Sequence, residues 1–286
     1  MAGGFVITDE EFRFFRTLLM QEAGISLGEG KRHLVASRLA KRLRYFGFTS
    51  YKQYYHYLMT EDPSGDERLV MVNCLTTNKT DFFREGHHFD FLRERVLPAL
   101  REKTLRGAPR RLRIWSAACS SGEEPYTIAM TVREMFPASS GWDIRILASD
   151  IDTDILRRAE RGIYDQERLA GVPENLQRKY FLRGKGQWEG SVRVRPELRE
   201  LITFRRINFI DPVWPIHTCF DVIFCRNVII YFDRETQRRL FERLAGYLDE
   251  DGYMMVGHSE SLHWLGHLFV PLRGTIYQPR AAKRDQ

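Results

Sequence analysis

The sequence predicts an α/β protein: an open, mostly parallel sheet covered by helices, with a small antiparallel β excursion and a small all-α unit in front. Three observations predict it. Residues 1–76 carry apolar side chains at helical spacing. From about residue 110, short apolar runs alternate with helical stretches. Between residues 180 and 195, closely spaced glycines interrupt that rhythm.

The helical unit opens on Thr8, with Glu11 three residues on, a capping-box pattern. Phe12, Phe15, Leu18 and Leu19 follow at helical spacing. A second helix is expected over residues 31–46. At about 100° per residue, Val35, Leu39, Leu43 and Phe46 share one arc. Lys31, Arg38, Lys41 and Arg42 share the adjacent one. Between Gly30 and Thr60 there are seven Lys or Arg and no acidic residue, so no i,i+4 carboxylate neutralises that face. A solvated surface is the plain reading. A face of one sign that repels itself favours an anionic partner. Third and fourth helices are expected over 51–59 and 66–75.

In the second half, residues 112–115 form a strand ending in the small-residue turn 116–125, and a helix follows over 126–135. The next strand, 144–149, ends in Asp150, and a helix starts near Thr153. Further strands are expected over 202–207, 220–225, 253–257 and 275–278. Gly184, Gly186 and Gly190, with Val192 and Val194 alternating after them, suggest a hairpin. The tail 280–286 is expected to fray.

Composition bounds the class. The chain has 286 residues, 43% apolar and 29% charged, as in an ordinary globular protein of one large domain or a large and a small one. No apolar run approaches the roughly 20 residues of a membrane span. The acidic start lacks the basic and apolar regions of a signal peptide. Cys74, Cys119, Cys219 and Cys225 form no CxxC pair, so a zinc site has no support, and reduced cytoplasmic thiols are expected. The net charge of +6 favours an acidic partner without choosing among nucleic acid, membrane and protein.

In an open α/β sheet, ligands bind beyond the carboxyl ends of the strands, where the strand order switches. Three polar clusters fall there: Ser120 to Glu124, Asp150, and Arg226 with Asn227. A small-residue turn lets backbone approach a ligand, and an acidic side chain on the next strand suits ribose hydroxyls. Nicotinamide, flavin and S-adenosylmethionine sites share that pairing. The nicotinamide fingerprint GxGxxG is absent, since only Gly122 lies in the turn. Plainer readings stand beside these: Asp150 as a helix cap, Glu123 as a first-turn carboxylate, Asn227 as a turn residue. His87, His88, His258 and His263 lack further ligands at metal spacing, so no metal is expected.

The stretch Leu75-Thr76-Thr77-Asn78-Lys79-Thr80-Asp81-Phe82-Phe83-Arg84-Glu85 resembles the linker motif of the bacterial chemotaxis receptor methyltransferases, the CheR-type family. The run from Trp115 to Tyr126, Ala148-Ser149-Asp150-Ile151-Asp152, the run from Phe224 to Phe232, and Gly257-His258-Ser259-Glu260 are similar to further motifs of that family. The resemblance extends from about residue 10 to about residue 278. It implies a helical substrate-recognition domain over 1–76, a linker over 77–90 that contributes to the cofactor site, and a Rossmann-like S-adenosylmethionine-binding domain over 91–286. A β-subdomain would cover about 178–198. It also implies cofactor contacts from Asn78, Thr80, Arg84, Glu123, Asp150, Asn208, Phe209, Asn227 and Val228. Arg84 and Tyr231 would lie nearest the reacting atoms.

The implied activity is methylation of chemoreceptor glutamates, giving methyl esters and S-adenosylhomocysteine, by a cytoplasmic monomer recruited to receptor arrays. A glutamate is already ionised at pH 7, so no general base is needed, consistent with the lack of an obvious Ser/His/Asp set. Arg38, Lys41 and Arg42 are expected to seat the Glu-rich receptor helix. The hairpin near Gly184 to Gly190 resembles the part of that family which in some members docks a receptor's C-terminal tether peptide, and its compact form implies such binding here. A nucleic-acid methyltransferase is the nearest rival, but Arg226-Asn227-Val228-Ile229-Ile230-Tyr231 lacks the prolines common in amino-group transferases. A non-catalytic S-adenosylmethionine sensor is the third reading.

Overall fold

A computed structural model describes residues 5–280. Four helices come first: α1 (Asp9–Ala23), α2 (Arg32–Phe46), α3 (Tyr51–Thr60) and α4 (Asp66–Leu75). The capping box forms: Thr8 Oγ1 accepts from Glu11 N–H, and Glu11 accepts from Thr8 N–H at 2.9 Å. Glu11 is buried because its other oxygen accepts from Lys52 N–H at 2.8 Å, tying α1 to the start of α3. Phe12, Phe15, Leu19, Val35, Leu39 and Leu43 form one core with Tyr51, Tyr54 and Met71, as the helical spacing requires.

After the linker, α5 (His87–Phe91) runs through a π-helical turn, Leu92–Val96, into α6 (Leu97–Leu105). Then β1 (Arg111–Ala117), α7 (Glu123–Met135), β2 (Asp143–Asp150) and α8 (Thr153–Arg161) alternate. The excursion follows: β3 (Ile163–Asp165), α9 (Glu174–Tyr180), β4 (Phe181–Arg183), β5 (Ser191–Val194) and α10 (Pro196–Arg199). The chain closes with β6 (Ile202–Arg206), β7 (Phe220–Cys225), α11 (Arg234–Gly246), β8 (Leu248–Val256), β9 (Phe269–Arg273) and β10 (Ile276–Pro279).

The large sheet has the order β6-β2-β1-β7-β8-β10-β9, with β10 antiparallel to both neighbours and the other pairings parallel. Its inner strands are covered on both faces, so their alternate residues enter two cores. Leu112, Ile114, Val222 and Phe224 face one, while Trp115, Ala117, Ile223 and Cys225 face the other. The order reverses between β1 and β7. The small sheet has the order β3-β5-β4.

Several expectations are corrected. The small sheet starts with β3 at Ile163, ahead of the expected 178, because its strands come from both sides of α9. β8 begins at Leu248; its first half, Leu248-Asp249-Glu250-Asp251-Gly252, is too charged to read as a strand. β9 was not expected at all. Pro271 is tolerated there because β9 is the sheet's edge. The expected fraying of the tail falls beyond the described residues from 281 onward. Among the described residues, no helix is long and apolar enough to cross a membrane.

Candidate active site

The pairing registers bring three strand ends together: Ala117 lies opposite Ser149 on one side and Cys225 on the other. The turns leaving β1, β2 and β7 therefore border one space at the switch in strand order. A cavity of about 540 Å³ occupies it, roofed by residues 23–38 of the helical unit and by the linker.

The turn after β1 is tightly wound. Ala118 (φ 66), Ser120 (φ 51) and Gly122 (φ 96) are all left-handed. Surrounding bonds enforce this: Ser120 N–H donates to Asp150 Oδ2 at 2.8 Å, Ser120 Oγ to the Asn78 carbonyl at 3.0 Å, and Tyr164 Oη to the Ser121 carbonyl at 2.7 Å. At Gly122 a Cβ would lie 2.9 Å from both Ala159 Cβ and Tyr164 Oη, so glycine is required.

Asp150 is buried against the cavity. Each of its oxygens accepts one backbone N–H, Oδ2 from Ser120 and Oδ1 from Asp152 at 3.0 Å, which leaves lone pairs for a ligand. Burial pushes its pKa up to about 6, against the downward pull of those N–H donors. The cap of α8 is Asp152, whose Oδ1 accepts from Asp154 and Ile155 N–H, so the helix-cap reading of Asp150 does not hold.

Glu123 and Glu124 exchange expectations. Glu123 does not line the cavity: it turns to Ser121 Oγ and Arg168, each of which donates to one of its oxygens. Glu124 lines the cavity, accepting from Ser116 Oγ at 2.7 Å and Arg226 Nη1 at 2.9 Å. Burial raises its pKa, opposed by Arg226. Arg226 also meets Glu85 at 3.2 Å. Burial works to raise the Glu85 pKa, but Arg226 and hydrogen bonds outweigh it and the net shift is down. Neighbouring glutamates in one motif are not separable by sequence; the roughly 100° between consecutive helical residues decides which faces inward.

Beyond β7, Asn227 (φ 58), Val228 and Tyr231 line the cavity. Glu260, which sequence reasoning quoted only as part of a motif, pins this loop by accepting N–H groups from Asn227 (2.8 Å), Ile229 (3.0 Å) and Gly257. Asn208 and Phe209 line another wall, and Asn208 Nδ2 donates to the Glu22 carbonyl at 2.7 Å. Asn78, Thr80 and Arg84 line the cavity from the linker. The Asn78 amide is taken by Asp152 Oδ2 at 2.7 Å, and Arg84 Nη1 donates to the Lys79 carbonyl at 2.8 Å.

The basic face of α2 divides three ways. Lys41 is exposed. Arg42 is not unneutralised: its Nε and Nη2 pair with both oxygens of Glu67, at 2.7 and 2.6 Å, and Tyr54 adds a third bond. The partner lies on α4, 25 residues away in sequence, out of reach of an i,i+4 reading. Arg38 turns inward to the linker and the cavity.

Comparison with known proteins agrees with this arrangement. Residues 10–76 match the family described as CheR methyltransferase, all-alpha domain, and residues 78–277 match CheR methyltransferase, SAM binding domain. Chemotaxis protein methyltransferase 2 of Pseudomonas aeruginosa is 45% identical over 275 residues, covering 96% of this chain and 95% of that protein. The chemotaxis protein methyltransferase of Escherichia coli is 42% identical over 274 residues, covering 95% and 91%. A cavity at the strand-order switch, roofed by a helical unit and lined by the quoted motifs, is thus matched along nearly the whole chain: the protein belongs to the CheR methyltransferase family, with an S-adenosylmethionine-binding domain.

Proposed function

We propose that the protein methylates glutamate side chains of chemoreceptors, using S-adenosylmethionine and releasing S-adenosylhomocysteine. The polarity of the cavity carries the reading. Its lining presents the buried Asp150 carboxylate with the half-buried Phe209 ring, and also the exposed Lys31 and Lys79 with the half-buried Arg84. The first pair suits a nucleoside and the second group an incoming anion. The relatives' names supply the substrate class and favour neither nucleic acid nor a passive sensor.

The side chains fit the cofactor. Asp150 retains acceptor capacity for paired hydroxyls, Phe209 offers an apolar flat face, and Asn227 and Val228 complete the wall. Asn208 gives one Nδ2 N–H to the Glu22 carbonyl, and its own carbonyl accepts from Trp214 Nε1 and Asp211 N–H, so its second amide N–H is left for a ligand. Thr80 and Asn78 contribute from the linker. When bound, S-adenosylmethionine supplies an electrophilic methyl group. The protein's task is then to align an ionised carboxylate and exclude water. Arg84 anchors one carboxylate oxygen and leaves the other to react, because a tight bidentate pair would blunt the nucleophile. Tyr231 shapes the approach. The β4–β5 hairpin, with Trp188 exposed at its turn, is the proposed dock for a receptor's C-terminal peptide.

The test is transfer from methyl-labelled donor to receptor-bearing membranes. Base-labile label on receptor glutamates is expected. Label that survives base, or none, overturns the reading.

A further inference from the structure

The linker that brings Asn78, Thr80 and Arg84 to the cavity needs to be held. Phe83 (φ 55) and Glu85 (φ 56) are left-handed, a backbone state that residues with side chains adopt only under constraint. Its far end is secured by the Arg226 guanidinium on the Arg84 carbonyl and by Arg168 on the Thr80 carbonyl. Its near end is gripped from two sides by charged side chains that the catalytic reading does not use.

One grip comes from α2. Arg38 Nη1 donates to the Leu75 carbonyl at 2.9 Å and to the Thr76 carbonyl, and Nη2 donates to Thr77 Oγ1 at 3.3 Å. These carbonyls end α4 and lack helical partners, and a cation there also meets the negative end of the helix dipole. The other grip comes from Asp152, which is buried. Its Oδ2 accepts from Thr76 Oγ1 at 3.0 Å and from Asn78 Nδ2 at 2.7 Å, while Oδ1 caps α8. The Asp152 N–H in turn donates to Asp150 Oδ1 at 3.0 Å. A continuous path therefore runs from α2 through the linker to the carboxylate at the end of β2.

We propose that Arg38 and Asp152 are positioning residues: together they clamp residues 76–78 over the cavity and thereby set cofactor affinity, before any receptor arrives. This rests on the S-adenosylmethionine-binding reading of the cavity. It assigns Arg38 inward, to the cofactor side, and leaves the outer face of α2 to Lys41 and its exposed neighbours. Only a fork of N–H donors reaches two carbonyls and a hydroxyl at once, so charge alone does not do what Arg38 does.

The experiment is calorimetric titration of S-adenosylhomocysteine into the full chain without receptor, paired with hydrogen exchange of the linker amides in the ligand-free protein. Arg38→Ala is expected to raise Kd by about tenfold or more, and Arg38→Lys to raise it several-fold, about halfway on a logarithmic scale. Asp152→Asn is expected to act in the same direction. Each variant is expected to speed exchange at residues 76–84, and Arg44→Ala, on the same helix, to do neither. At saturating cofactor, kcat should recover towards the native value while the KM for cofactor stays high, a split that general unfolding does not give. If Arg38→Ala and Arg38→Lys bind S-adenosylhomocysteine like the native protein and Arg38→Ala raises only the receptor KM, the clamp is overturned and Arg38 is a charge guide. Failure of the native protein to bind S-adenosylhomocysteine overturns the cofactor site itself; linker exchange unchanged in Arg38→Ala then overturns the clamp separately.

Discussion

The Glu260 carboxylate accepts the backbone N–H of Asn227 at 2.8 Å, across 33 residues of sequence, and so one buried side chain sets the loop that carries Asn227, Val228 and Tyr231 into the cavity. Asn227 is left-handed there, and Gly257 makes room: a Cβ at 257 would lie 2.3 Å from Asn227 Nδ2. Three N–H groups converge on Glu260, and an amide in its place offers one oxygen where two are needed. Glu260→Gln is expected to cost about 1–3 kcal/mol of stability through the unpaired donor. Cofactor affinity should fall on the order of tenfold. Thermal unfolding and S-adenosylhomocysteine titration measure both; a variant native in both refutes the anchor.

Asp150 gives the site a pH dependence. Burial puts its pKa at about 6, above the ordinary carboxylate value. Ionising it therefore works against the ligand-free fold: its contribution to stability is complete below the unfolded pKa and is lost as pH rises through about 6. Ligand hydroxyls are better accepted by the ionised form. Affinity for S-adenosylhomocysteine should thus be level above pH 7 and fall by about tenfold per unit well below 6. Binding at pH 6 should release a proton, seen as a heat that changes with the buffer's ionisation enthalpy. A Kd constant from pH 5 to pH 8 excludes the role.

Legibility followed the range of the physical signal. The capping box at Thr8 and Glu11, the α4 span and the β7 span are local, and all three form where the sequence places them. The strand-end clusters were legible because an open α/β sheet concentrates ligands at one edge. What escaped depends on tertiary partners. Glu67 neutralising Arg42, Asp152 taking the Asn78 amide, and Arg168 drawing Glu123 away from the cavity all join residues between 25 and 74 positions apart. Strands β3 and β9 escaped because three residues, or an edge strand containing proline, carry too little periodicity.

Arg42 separates stability from recognition. Glu67 is buried, and its partners are Arg42 and the Tyr54 hydroxyl, whose pKa is driven far up by burial and by Glu67 itself. Arg42→Ala strands that carboxylate, at a cost of roughly 3–5 kcal/mol. Arg42→Met with Glu67→Leu and Tyr54→Phe should recover most of the loss, since apolar packing often replaces a buried pair and the Tyr54 hydroxyl would otherwise lose its acceptor. Urea unfolding of the two variants reads the difference. Equal stability of Arg42→Ala and the native protein would return Arg42 to the receptor-facing surface.

Arg84 and Tyr231 are the sharpest kinetic test. Both line the cavity, and neither is spent on an internal salt bridge of good geometry: Arg84 Nε is 3.9 Å from Glu85, and only one of its nitrogens is taken, by the Lys79 carbonyl. That leaves guanidinium N–H groups for a substrate carboxylate. Arg84→Ala should lower kcat/KM for receptor on the order of a hundredfold, because it removes both orientation and charge complementarity. Arg84→Lys keeps the charge without the planar fork and should recover only part of it. Tyr231→Phe tests whether the hydroxyl or the ring matters. A loss in kcat of about tenfold with unchanged cofactor affinity assigns the hydroxyl to the reacting carboxylate, whereas native rates assign Tyr231 a packing role. If Arg84→Ala and Tyr231→Phe both turn over receptor and bind S-adenosylhomocysteine as the native protein does, the reacting atoms lie elsewhere in the cavity, and Lys31 or Lys79 must carry the incoming anion.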